Sequence, residues 1–262
     1  MAVVRHVATP GRPDQLRYYV YVWEFPVRLF HWMNALCVVV LAITGYLIGN
    51  PIAVQSSAEA SQLYWFGTVR FIHFLTAWIW ISVAILRIYW GFVGNEYVRY
   101  KNFLPVRREQ WKEVMTVLRC DIVQIWRGVS SAIGHNPLAG LSYTIAFGAF
   151  LFQVFTGLGM YSAMSSNWFV DLFAWVIPLF GGDHIVRLWH HMAMWFFAVF
   201  VIVHVYLSAY HDYVEATGTI SSMVGGWKFI QRPAPPESLR PLPEAEEAIK
   251  EVIDMLPRSD AD

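Results

Sequence analysis

The chain has 262 residues, of which 56% are hydrophobic and 17% aromatic but only 15% charged. A soluble domain carries about a quarter charged residues, and the mean hydropathy of +0.41 points the same way, so a disordered chain, a disulfide scaffold and an ordinary soluble enzyme are excluded. Lys and Arg number 19 and Asp and Glu 19, which leaves no basic surplus for a nucleic-acid partner.

The N-terminal residues 1–26 contain no apolar h-region and read as a polar tail without a cleaved signal peptide. Four long apolar runs follow, at 29–48, 71–90, 137–161 and 188–210. Arg87 interrupts the second, and the other three are free of Lys, Arg, Asp and Glu. Each is long enough for a helix to cross roughly 30 Å of hydrocarbon, and a helix is required because lipid offers no partner to an open backbone. Between the second and third runs, residues 108–127 alternate charge with Trp111, Val114, Val117, Leu118, Ile122 and Ile125, the pattern of an amphipathic helix lying on a membrane surface. The shorter run 168–180 holds Asp171 and Pro178 and reads as an interfacial segment. From Pro233 onward the chain is rich in Pro and Glu and reads as mobile, with a short helix predicted over 243–255.

Orientation follows from the basic residues. Of the 19, only Arg70 and Arg187 fall in the connection between the first two runs or between the last two. Both termini and the long middle loop are therefore expected in the cytoplasm. The fold class is an all-α integral membrane protein, a four-transmembrane-helix bundle over 27–211. It lies between a cytoplasmic N-terminal segment, 1–26, and a cytoplasmic C-terminal tail, 212–262.

Five histidines lie within the runs, of which His31, His73, His190 and His204 are the informative ones, with His191 adjoining the third of these. An ionisable group at membrane depth is expensive and suggests function. Chain direction places His31 and His204 toward the cytoplasm and His73 and His190 toward the outside. His190 and His204 are 14 residues apart, four turns less roughly 40°, and share one face. His191 falls nearly opposite His204, although it remains an alternative to His190. Zinc would want four ligands, often with Cys or a carboxylate, and none is at hand. Two imidazoles suffice for a haem, whose porphyrin supplies the other four nitrogens. The pairs are His31 with His204 and His73 with His190. Cys37 and Cys120 form no CxxCH, so the haems would be two noncovalent haem b, and without a four-cysteine pattern the chain holds no iron–sulfur centre.

Three of these histidines share one local grammar: Arg28–His31, Arg70–His73 and Arg187–His190, each three residues apart on one helix face. The arginines are candidates for haem propionates. Gly45, 14 residues beyond His31, falls near the outer pair, and Gly148, Gly157 and Gly159 line the third helix. Such small residues admit a flat macrocycle or a close helix.

The stretches RLFHWMNALCVVVLAITGY at 28–46, FGTVRFIHF at 66–74, GHNPLAGLSY at 134–143 and RLWHHMAMWFFAVFVIVH at 187–204 resemble the b-type cytochrome subunit of membrane-bound nickel–iron uptake hydrogenases. The related cytochrome of formate dehydrogenases is similar. The resemblance implies a subunit of the bacterial cytoplasmic (inner) membrane that anchors the small and large hydrogenase subunits on the periplasmic side. It implies transfer of electrons from H2 oxidation through two haems to quinone, with the hydrogen-splitting site on the partners. Near the cytoplasmic haem, His135 and Asn136 are the quinone candidates, with His211 and Asp212 close by, and Asp183 and His184 are candidate partner contacts outside. Two other readings stand beside this one: the equivalent subunit of a formate dehydrogenase or similar oxidoreductase, and a haem-free anchor or proton-relay transporter.

Overall fold

In a computed structural model the described residues are 5–9, 12–51, 64–99, 111, 112, 115, 137–215 and 217–233. Two strands, β1 (Arg5–Thr9) and β2 (Arg12–Tyr21), lead into the long helices α1 (Phe25–Gly49) and α2 (Trp65–Val93). Then come α3 (Pro137–Ser162), two single turns α4 (Trp168–Asp171) and α5 (Val176–Leu179), the long helix α6 (Asp183–Glu215), the short helix α7 (Thr219–Gly225) and strand β3 (Trp227–Pro233). The helices α1, α2, α3 and α6 are the four long and apolar enough to cross a membrane. The helix α1 packs on α2, α3 packs on α6, and α1 meets α6 to join the two pairs.

Lipid reverses the usual pattern of a helix surface. On α1 the exposed residues Leu29, Trp32, Leu36, Val39, Ile43 and Tyr46 recur every three or four positions and form an apolar outer stripe. The buried residues of the same helix are Val27, Phe30, Cys37 and Thr44. Halfway along the bundle Cys37, Trp80, Phe150 and Phe197 form a core cluster. There the Trp80 ring lies edge-on to Phe150 and Phe197, with centroids 4.7 and 5.6 Å away. Its indole N–H donates to Asn34 Oδ1 at 2.8 Å, satisfying the polar tip of a buried tryptophan.

The helices run past the ends of the apolar runs. The chain enters α1 at Phe25 through a proline in the first turn, where a missing N–H costs nothing. It enters α6 at Asp183, whose carboxylate pairs with Arg187 one turn on. A hydropathy run stops at such charges, whereas the backbone hydrogen bonds continue through them.

Residues 5–9 and 12–21 form strands where a polar tail is expected. The strand β2 pairs antiparallel with β1 on one side and with β3 on the other, with Tyr18 opposite Ile230 and Tyr21 opposite Trp227. The pairing brings the two terminal segments together across more than 200 residues, a long-range match that no local signal at 1–26 reveals. The sheet is seated on the bundle by a second core of Val20, Val22, Trp23, Val27 and Val98. Glu24 Oε2 accepts from the Trp90 indole at 2.8 Å and from the Asn95 amide at 3.1 Å, and Asn95 Nδ2 donates to the Val22 carbonyl at 2.9 Å. Gly226, with φ 87°, turns the chain from α7 into β3. A Cβ there would stand 2.5 Å from the Tyr21 ring and 2.7 Å from the Trp23 carbonyl, so only glycine suits the position.

The segment 168–180 forms the turns α4 and α5. Val176 sits so close to α3 that a Cβ on Gly159 would be 2.8 Å from it. Of the amphipathic segment 108–127 the described residues are Trp111, Lys112 and Met115, which are helical and exposed, and the stretch 243–255 lies outside the described residues. Replacing the central tryptophan, Trp80→Ala, is expected to destabilise the bundle by about 3–5 kcal/mol, read as a lower midpoint of thermal unfolding in mild detergent.

Candidate functional site

The histidines fall at two levels of the bundle. The sheet end is the level near the N-terminus of α1, and the far end is the level near its C-terminus. At the far end a cavity of about 340 Å³ opens between the helices, lined by His73 from α2, His190 and His191 from α6, Arg70 and Arg187. Its size falls in the range of small-molecule and cofactor pockets. At the sheet end His31 and His204 face each other with ring centres 6.2 Å apart and planes inclined by 52°. Phe197 lies seven residues from His190 and seven from His204, so the aromatic layer of Trp80 and Phe197 separates the two levels.

The far-end imidazoles are held by hydroxyls. Thr44 Oγ1 lies 2.8 Å from His73 Nδ1, and Thr156 Oγ1 lies 2.8 Å from His190 Nδ1. Each threonine also donates to a carbonyl one turn back on its own helix, Val40 O and Phe152 O, both at 2.7 Å. A glycine follows each threonine. A Cβ on Gly45 would be 3.3 Å from His73 Cε1, and one on Gly157 would be 3.4 Å from His190 Cε1. The absent side chains make room for each ring to lie against the neighbouring helix. Gly148 faces open space, with nothing within 4 Å of its Cβ position.

His191 points elsewhere on the same cavity. Its Nδ1 donates to the Arg187 carbonyl at 3.0 Å. Its Nε2 is buried without a partner, in the space where a Cβ on Gly49 of α1 would lie. His190 is braced by Gln153, whose Nε2 donates to the His190 carbonyl at 3.1 Å. At the sheet end His31 Nδ1 is buried with no partner among the described residues, and His204 stacks on Phe200 one turn before it, with ring planes 7° apart.

The three arginines have different surroundings. Arg187 and Arg70 line the cavity. Arg187 forms a two-pronged pair with Asp183, at 2.6 and 3.2 Å, and Arg70 reaches the Met164 sulfur at 2.9 Å. Arg28 donates through Nη1 to the Val224 carbonyl of α7, and its Nε is buried without a partner. The quinone candidates His135 and Asn136 lie outside the described residues. Asp212, near the sheet end of α6, has a buried carboxylate oxygen, Oδ1, without a partner.

Thr44, Thr156, Gln153 and the Trp80–Asn34 pair are absent from the sequence reading. The signal for the threonines was the dipeptide Thr-Gly at 44–45 and again at 156–157, each within a run otherwise without charge.

The donor set fits haem better than a bare metal ion. His31 and His204, with ring centres 6.2 Å apart, are close enough for both imidazoles to hold one iron between them. The far-end pair adds glycine cradles and two cations, Arg70 and Arg187, that line the same cavity. Among the described residues no group of three or more His, Cys, Asp or Glu could hold a metal ion by itself.

The model of the family described as prokaryotic cytochrome b561 matches residues 22–226. A relative from Azotobacter chroococcum is 39% identical over 242 residues, covering 90% of this chain and all of that protein. One from Cupriavidus necator is 42% identical over 217 residues, covering 79% of this chain and 86% of that protein. Both are named probable Ni/Fe-hydrogenase B-type cytochrome subunit. A relative from Escherichia coli K12, named probable Ni/Fe-hydrogenase 1 B-type cytochrome subunit, is 39% identical over 216 residues, covering 79% of this chain and 90% of its own. Because the Asp183–Arg187 pair is half exposed and one turn apart, Asp183→Asn is expected to change stability by less than about 1 kcal/mol, checked by thermal unfolding in detergent.

Proposed function

This chain belongs to the prokaryotic cytochrome b561 family, and from that premise we propose that it is the dihaem b subunit that carries electrons from a nickel–iron hydrogenase to quinone. The observation that carries the reading is the pair of histidine levels, His73 and His190 on one cavity and His31 and His204 at 6.2 Å, in a bundle of four membrane-length helices. His73 and His190 would hold one haem and His31 and His204 the other. When bound, the two haems supply a relay for single electrons between the partner and quinone.

The chain's own groups then divide the work. Arg70 and Arg187, which line the far cavity, would neutralise the propionates of a haem held there, and Arg28 would do so at the sheet end. The layer of Trp80, Phe150 and Phe197 excludes water between the levels. By the distribution of Lys and Arg the sheet end faces the cytoplasm of a bacterial inner membrane and the far end the periplasm. The hydrogenase small and large subunits dock at the far end, on residues 49–69 and 163–186, with Asp183 and His184 as contacts. Quinone reduction takes up two protons with two electrons and so needs polar groups with a route to water. His135 and Asn136, which lie outside the described residues, and His211 and Asp212 near the sheet end of α6 are the candidate groups for this need. The same architecture serves a formate dehydrogenase partner, and nickel in the co-purified complex decides between the two.

Two outcomes test the reading. His73→Ala or His190→Ala should remove about half of the b haem per chain and spare the other half, as should His31→Ala or His204→Ala, measured by pyridine haemochrome and redox titration. A single haem per chain, or a damaging His191→Ala beside a silent His190→Ala, would overturn the pairing. Asn136→Ala should slow quinone reduction by H2 at least tenfold with both haems bound and still reducible through the partner. Unchanged turnover moves the quinone elsewhere.

A further inference from the structure

The far-end histidines repeat one device twice. On α1 and α2 it is Thr44-Gly45 against His73, and on α3 and α6 it is Thr156-Gly157 against His190. A threonine hydroxyl carries one proton. In both cases a carbonyl on the same helix takes it, at 2.7 Å, as serine and threonine side chains do within helices. The hydroxyl oxygen then has only lone pairs to offer the ring, so the ring nitrogen 2.8 Å away must be the donor. His73 and His190 therefore carry their proton on Nδ1, and Nε2 keeps its lone pair. Both threonines are buried, at 7% and 1% exposure, so water cannot substitute for them. The glycine beside each threonine lets the ring rest against the helix at Cε1, which fixes its rotation as well as its proton.

Among the described residues the sheet end lacks this device. His31 Nδ1 is buried without a partner, and His204 is oriented by stacking on Phe200. The two levels thus differ in how their imidazoles are held, although their ligand type is the same.

We propose that Thr44 and Thr156 are positioning residues that set the tautomer and ring orientation of His73 and His190, so that each presents Nε2 to a haem iron in the far cavity. This rests on the dihaem reading above. A hydrogen-bond acceptor on the outer nitrogen of a metal-bound imidazole raises its basicity, and removing such a partner typically weakens metal binding by about 10–100-fold. A more basic ligand also favours the oxidised iron, so the threonines lower the potential of the far haem.

The test uses the full chain purified with its haems in mild detergent, comparing Thr44→Val and Thr156→Val with Thr44→Ser and Thr156→Ser. Valine keeps the shape and removes the acceptor, and serine keeps the acceptor. The valine variants should bind the far haem about 10–100-fold more weakly. The far haem that remains should have a raised midpoint potential and a shifted low-spin ferric electron paramagnetic resonance signal, which reports the angle between the imidazole planes. The serine variants should restore all three, and the haem of His31 and His204 should be unmoved throughout. Valine variants with wild-type affinity, potential and resonance would overturn the proposal. Serine variants that fail as valine does, or loss of both haems together, would also overturn it, because the threonines would then act through packing. His73→Ala and His190→Ala run alongside: if they leave the haem content whole, the dihaem reading itself falls.

Discussion

An imidazole at membrane depth must have both ring nitrogens accounted for, because lipid supplies neither a donor nor an acceptor. Much of this bundle follows from that demand. At the far end one nitrogen of His73 and one of His190 are taken by threonine hydroxyls. The other nitrogen belongs to residues that line a cavity of cofactor size. The hydroxyls can serve because their own protons go to carbonyls of the helix on which they sit. Glycines follow, since a ring that reaches a hydroxyl on the next helix must lie close to that helix's backbone.

The bundle divides into two similar halves. The pairs α1–α2 and α3–α6 each contribute a Thr-Gly step, an Arg three residues before a His, and a shared half of the far cavity. They meet through α1 and α6 around the aromatic layer. The sheet end breaks this likeness. There the strands from both terminal segments close into one sheet, and α7 is tied to α1 by Trp32 donating to the Met223 carbonyl and to the residue before α1's cap by Trp23 donating to Ser222. The polar tips of these tryptophans are satisfied by the short helix.

The glycines and charges show why local reading carried only so far. Gly45 falls on the far-end face by counting residues along a helix, because helical periodicity is rigid. Gly159, on the same helix as Gly157, packs instead on Val176 of α5, and the two glycines are alike in sequence. The arginines share one spacing, yet Arg187 pairs with Asp183, Arg70 with a methionine sulfur, and Arg28 with the backbone of α7. Spacing along one helix says which side a residue faces, and the neighbour's identity depends on another segment of chain.

The sequence by itself determined the class of the protein, its four long helices and the two depths of its histidines. Those properties depend on composition, on the length of uncharged runs and on a fixed rise per residue. It did not contain, in any local form, the sheet between residues 5–21 and 227–233, the hydroxyls that hold the far-end rings, or the partner atoms that His190 and His191 meet. Those were decided by the tertiary structure. Strand pairing, a hydrogen bond from one helix to the next and the close approach at a glycine each need two distant segments at a set separation, and only the packed bundle sets it.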